Sequence, residues 1–200
     1  YLAETQKNSL QHINRLNVFA RSEYMNVDAA TRRNLELTKP LQFEGSKKST
    51  LLYVLDKTGT AMGGRLLRAW IEQPLQSVEG INRRLDAVEE LLQNHPARDA
   101  LSQTLAGMYD IERLCSRIAY GSINARDCEA LLASLEKLPA VLEALPMLKA
   151  GEFVDISAQL DMMEDIHGLL SSAIIDNPPL SVKDGGIIRD GYDAEVDACR

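Results

Sequence analysis

Leu51-Leu-Tyr-Val-Leu-Asp-Lys-Thr-Gly-Thr-Ala-Met-Gly-Gly-Arg-Leu-Leu-Arg-Ala-Trp-Ile-Glu-Gln-Pro-Leu75 is the stretch that decides how this chain folds. Thr60 stands where a hydroxyl can accept from free first-turn N–H groups, so a helix is predicted to start there and run through Gln73. Met62, Leu66, Leu67, Trp70 and Ile71 fall on one side of that helix, and Pro74 ends it. Gly63 and Gly64 carry no Cβ, which leaves room for another backbone to approach. If the indole of Trp70 is fully buried, truncation to Ala costs roughly 3–5 kcal/mol. Leu51–Leu55 reads as one helical turn or two.

Working toward the C-terminus, the same helical rhythm continues. Ser77 caps a run in which Val78, Ile81, Leu85, Val88 and Leu92 recur every three or four residues, and Pro96 stops it. A second stripe runs through Leu101, Leu105, Met108, Ile111, Leu114 and Ile118 to Gly121. A third starts at Asp127 and takes in Leu131, Leu132, Leu135, Leu138, Leu142 and Leu145, with Pro139 inside it as a kink or a split. A fourth joins Phe153, Ile156, Leu160, Met163, Ile166, Leu169, Leu170 and Ile174. Stripes of this kind belong to helices packed on neighbouring helices, and with no fixed repeat a bundle is the simpler expectation. Beyond Asn177-Pro-Pro179, the apolar pairs around Lys183-Asp-Gly-Gly186 predict a small β-hairpin near 180–189. Asp193 is a plausible cap for a final helix.

Toward the N-terminus, Lys39–Thr50 is polar, contains Pro40 and Gly45, and reads as a loop. Asp28 precedes Ala-Ala-Thr-Arg-Arg-Asn-Leu-Glu-Leu37 as an N-cap. Val18–Val27 suggests a short extended segment, and Tyr1 to about Gln11 a helix. The chain opens on Tyr1 and closes at Arg200 inside a helix-like run, as an interior piece of a larger protein would.

Aromatic residues are only 5% of the chain, which favours helix-on-helix packing over a β-sandwich. Charge is uneven: residues 1–72 hold 11 Lys/Arg and 7 Asp/Glu (+4), whereas residues 73–200 hold 11 and 22 (−11). Nucleic-acid affinity requires clustered Lys/Arg, so the acidic part is a poor phosphate surface. The basic doublets Arg32-Arg33 and Lys47-Lys48 could touch phosphate, but they lack interleaved aromatics and fit surface charges better. Cys115, Cys128 and Cys199 form no CxxC pair or Cys/His cluster, which argues for reduced thiols and a cytoplasmic location. No apolar run approaches the ~20 residues of a membrane span.

Catalytic chemistry has little to work with. Gly59-Thr-Ala-Met-Gly-Gly64 lacks the Lys of a phosphate-binding loop and lies between helices. His12, His95 and His167 have no nearby His or Cys partner. Glu89-Glu90, Glu164-Asp165 and the series Asp190, Asp193, Glu195, Asp197 fit solvated helix faces. No catalytic, metal, cofactor-binding or nucleic-acid-binding residue is therefore expected in this chain.

Three stretches taken together resemble the core, or lever, region of the bacterial DNA mismatch repair protein MutS family. They are Asp28–Leu37, Leu51–Leu75 and Asp184-Gly-Gly-Ile-Ile-Arg-Asp-Gly-Tyr-Asp193. Ile81-Asn-Arg-Arg-Leu-Asp-Ala-Val-Glu-Glu90 and Ile174-Ile-Asp-Asn-Pro-Pro179 fit the same pattern, and Tyr1-Leu-Ala-Glu-Thr-Gln6 is similar to the family's exit from its connector domain. The resemblance covers nearly the whole chain, although residues 95 to 165 match mainly in helical rhythm. It implies a mostly α lever bundle, with the connector's end at 1–12, the first part of the lever at 13–192, and a long helix toward a clamp starting at 193–200. In the family, ATP and Mg are bound elsewhere, and the partners are mismatched double-stranded DNA, a second MutS subunit and MutL. The resemblance therefore implies a coupling element with no cofactor, no DNA contact and no enzymatic activity of its own. A lever from a relative acting on recombination junctions or stalled ribosomes, or a free-standing protein-binding scaffold, are the alternatives.

Overall fold

The structure is a computed structural model and describes residues 23–41 and 47–199. The helix expected over Tyr1–Gln11, the first part of the extended segment, the connector exit, His12 and the central part of the 39–50 loop lie outside these residues.

Helices dominate. Asp28 does cap α1 (Ala29–Asn34), its carboxylate accepting from Thr31 N–H at 2.6 Å. A 3₁₀ turn at Lys47–Ser49 leads into α2 (Leu51–Leu55), capped by Thr50. Then come α3 (Ala61–Glu72), capped by Thr60 as expected, and α4 (Val78–Gln93), capped by Ser77. Asn94 serves two helices: its N–H closes the end of α4, and its side chain caps α5 (His95–Ala106). Pro96 therefore opens a helix near its first position, where its missing N–H is no loss.

The longer stripes divide where the backbone has a reason to break. The second splits at Gly107–Asp110, and Asp110 caps α6 (Ile111–Ala119). The third begins earlier than expected. Asn124 is the N-cap of α7 (Ala125–Leu135), and Asp127 is the reciprocal member of a capping box with it. Pro139 does split that stripe, with α8 (Leu138–Ala144) starting one residue before it. A 3₁₀ turn at Leu145–Met147 follows, then α9 (Gly151–Gln159) and α10 (Glu164–Ala173). The fourth stripe breaks at Leu160–Met163, where Met163 takes φ 50. α11 (Ala194–Ala198) begins at the Asp193 cap.

No named strand occurs among the described residues. Two isolated antiparallel bridges join Tyr24 to Leu75 and Ile174 to Ile188. The first realises the extended segment at its C-terminal end, with Met25 N–H donating to Pro74 O and Gln76 N–H to Glu23 O. The expected hairpin near 180–189 does not form. Val182–Asp184 makes a 3₁₀ turn, and Gly185 and Gly186 both take positive φ. This sends Ile187–Arg189 back to the end of α10: Ile175 N–H donates to Ile187 O, and Arg189 N–H to Ala173 O. The positive φ values fall on Gly185-Gly186 rather than on Asp184-Gly185 as a type I′ turn would need, so the chain pairs with the end of α10 and not with the adjacent segment.

The core sits where α6, α7 and the start of α8 meet. Leu114, Leu131, Leu135 and Leu138 are buried together, and Met108, Ile111, Leu160, Met162 and Leu170 pack around them. A second buried set, Ala97, Ala144, Leu145 and Leu148, lies where α5 meets α8 and the turn after it. The small side chains Ala97 and Ala144 let those two helices close up. Two expected core features differ. The α4 stripe is uncovered among the described residues, with Val78 70%, Leu85 57%, Val88 53% and Leu92 61% exposed, and α4 buries Ala87 instead. Trp70 is 40% exposed, and its ring is covered by the Arg84 guanidinium 3.8 Å from its centroid. Around Gly63 and Gly64, the space is bordered by the side chains of Thr58 and Thr60 rather than by a second backbone.

Candidate functional site

The residues singled out for chemistry remain scattered. His95 is exposed, and His167 stands 4.0 Å from Glu136 at the mouth of a small cleft. All three cysteines are free, and burial raises the pKa of Cys128 with a smaller push from Asp127. Among the described residues, no group of three or more His, Cys, Asp or Glu could hold a metal ion. The N–H of Gly63 in the Gly-rich stretch is already held by the Thr60 hydroxyl at 3.0 Å. No helix among the described residues is long and apolar enough to cross a membrane.

What the structure does bring together is a set of polar joints between helices. The most elaborate one ties α3 to the start of α6. Arg65 donates to both carboxylate oxygens of Asp110, at 2.8 and 2.7 Å, and to Glu112 from Nε at 2.9 Å. Asp110 also accepts from Arg113 N–H at 3.2 Å, so one carboxylate caps a helix and receives a bidentate guanidinium. The Arg65 side chain pulls the Asp110 pKa down to about 2, and the two carboxylates raise that of Arg65. Both groups therefore stay charged across the physiological range.

A second joint ties α4 to α9. Arg83 donates to Asp155 at 2.5 Å and lies 3.5 Å from Glu152, and Asp155 leads in raising the Arg83 pKa. Glu90, two turns further on, accepts Lys149 N–H at 2.6 Å and Ala150 N–H at 2.7 Å. These amides precede α9, whose own N-cap residue, Ala150, has no side chain able to cap. Glu90 thus caps from another helix, a role that the reading of Glu89-Glu90 as a solvated pair missed. Only the absence of a capping side chain before Gly151 hinted at it.

Further joints follow the same logic. Arg117 pairs with Asp127 at 2.6 Å between α6 and α7. The fully buried Ser134 hydroxyl accepts Tyr109 N–H at 3.1 Å and donates to Ala130 O at 2.8 Å. Arg126 reaches Pro178 O at 3.1 Å, and Glu129 accepts Asn177 N–H at 2.9 Å, pinning the buried Pro178 to α7. Arg189 holds Ile174 O and Asp176 at 2.9 Å each. None of these joints pairs a nucleophile with a base; their chemistry is to fix helices relative to one another.

Comparison with known proteins supplies the context. The MutS domain III family matches residues 30–200. Over all 200 residues the chain is 46% identical to the DNA mismatch repair protein MutS of Clostridium botulinum, of which it covers 21%. It is 46% identical to the protein of the same name from Desulforamulus reducens and 49% identical to that from Ruminiclostridium cellulolyticum, covering 23% of each. The chain therefore spans less than a quarter of the length of these relatives. With its helical architecture and a family match over most of its length, this chain belongs to the MutS domain III family.

Proposed function

We propose that this chain is the first part of the lever of a MutS-type mismatch repair protein, coupling DNA binding at one end to ATP hydrolysis at the other. Residues 13–192 form the lever's first part on this reading, and 193–200 open the helix toward the clamp. The observation that carries the reading is the arrangement of short helices clasped by directional charged joints, above all Arg65 on Asp110 and Glu112. Packed elements with discrete fastenings move between distinct arrangements rather than deforming smoothly, and that is how displacement is passed on. The names of the relatives favour mismatch repair over other branches of the family.

The reading makes no catalytic demand on this chain, so the purified 200-residue chain should not hydrolyse ATP. The stronger test uses the full-length parent with Arg65→Ala and Glu90→Ala combined. Mismatch affinity and basal ATP turnover should each stay near the parent's values, while the change in turnover caused by mismatched DNA weakens. Coupling free energies of about 1–3 kcal/mol are typical, so a loss of about fivefold or more in that response is expected. An undiminished response, with both joints broken, would refute the coupling role.

A further inference from the structure

We propose that the chain carries a docking groove for an extended acidic segment of a partner protein, running past α1 and the C-terminal half of α3. Two clefts share Arg32 and Glu72 as walls. One, of about 590 Å³, continues between Arg33, Lys39 and Arg68; the other, of about 450 Å³, follows the extended residues Tyr24–Val27. Each falls within the size range of sites that bury a ligand or a short chain segment. Adjoining at these two shared walls, they suit an elongated occupant better than a single small ion.

The charge of the groove departs from the rest of the molecule. Outside it, Arg65, Arg83, Arg117 and Arg189 are each matched by a carboxylate. Arg32, Arg33 and Lys39 form no ion pair within 4.0 Å among the described residues. Four cations and one carboxylate line the larger cleft of a chain whose net charge is −7. Guanidinium groups are matched to carboxylates by geometry as well as by sign.

Two features select a peptide over a nucleic acid. Glu72 stands where the clefts meet. Its Oε1 already receives Thr38 at 3.0 Å and Arg68 at 2.9 Å, whereas Oε2 makes no hydrogen bond among the described residues. A carboxylate oxygen there can accept a backbone N–H of an extended peptide, a donor that a phosphodiester backbone does not have. Pro40 and the 47% exposed Leu41 add an apolar wall for a neighbouring side chain. Phosphate readers, by contrast, set their cations along a surface that follows the backbone. The inference stands apart from the coupling role and survives if that role fails.

The test is fluorescence anisotropy on the 200-residue chain with a labelled peptide of alternating Glu and Leu. An equal-length Gln/Leu peptide and a labelled DNA duplex serve as comparisons. Saturable binding of the Glu peptide is expected, weakening as salt is raised. The Gln peptide should bind about tenfold or more weakly, and so should the Glu peptide to the double variant Arg33→Glu, Lys39→Glu. If charge reversal lowers helicity by circular dichroism, Arg33→Gln with Lys39→Gln should shift affinity in the same direction. Equal binding of the two peptides would overturn the proposal, because it would mean apolar association alone. So would indifference to the substitutions, or duplex binding that the substitutions abolish.

Discussion

At the level of single residues, Trp70 and Asp110 carry the sharpest expectations. The exposure of Trp70 and the Arg84 guanidinium over its ring replace the fully buried indole that the sequence suggested. Trp70→Ala should therefore cost clearly less than the roughly 3–5 kcal/mol of a buried aromatic. Arg84→Ala should lose about 0.5–1 kcal/mol, as exposed cation–π pairs do. A urea series with Trp fluorescence measures the stability, and Trp70 is the chain's single Trp, so the Arg84 variant should also change its emission. Asp110 has a folded pKa of about 2 against 3.8 for the ordinary group. Its lowered value means that the ionised form is favoured by folding. The stabilisation is complete above 3.8 and lost as pH falls toward about 2. Asn at this position can still cap α6 but cannot pair ionically with Arg65. The difference in thermal midpoint between the parent and Asp110→Asn should thus stay constant from neutral pH down to about pH 4 and close below it.

Helices raise the question of what fixes their ends. Asp28, Thr60 and Ser77 were legible as caps because each is the acceptor immediately before a helical run, and the amide it serves lies a few residues away. The cap on α9 was not legible, because Glu90 reaches it across a gap of 59 residues in sequence. The same distinction explains the missed partner of Ile188: local turn propensity says that the chain reverses, not which distant carbonyl receives it. The start of α7 lies two residues before Asp127, at Ala125, because Asp127 is the inner member of a reciprocal box whose N-cap is Asn124. Asn124→Ala should cost about 1 kcal/mol, with faster amide exchange confined to the first turn of α7. Glu90→Ala should cost a similar amount, about 1 kcal/mol, but its exchange signature should appear at Lys149 and Ala150, far from the substituted residue. Exchange that changed only around residue 90 would contradict the cross-helix cap. Met163 provides an opposite case: it holds φ 50 with its side chain 42% exposed. Left-handed backbone costs a non-glycine residue about 1–2 kcal/mol, so Met163→Gly should be neutral or stabilising despite its added chain entropy.

For the molecule as a whole, the helical class and the grouping of leucines were legible, because periodicity reports which residues share a face. Which faces meet was less so. The Leu131–Leu135–Leu138 face is buried as expected, whereas the equally regular Val78–Leu92 face is bare among the described residues. Apolar residues recur every three or four positions in both stretches, so the presence of a packed neighbour distinguishes them. Leu135→Ala, at the centre of the buried cluster, should cost about 2–5 kcal/mol and lower the urea midpoint of the whole domain.

The bare face of α4 also governs how this chain behaves in a test tube. At neutral pH the net charge of −7 keeps copies apart, but the isoelectric point is near 5.0, where that repulsion vanishes. Turbidity and light scattering should peak near that pH, and Leu85→Lys with Leu92→Lys should flatten the peak even though both lysines move the isoelectric point upward. The colloidal weakness of the chain then has an address: one side of one helix, rather than its acidity in general.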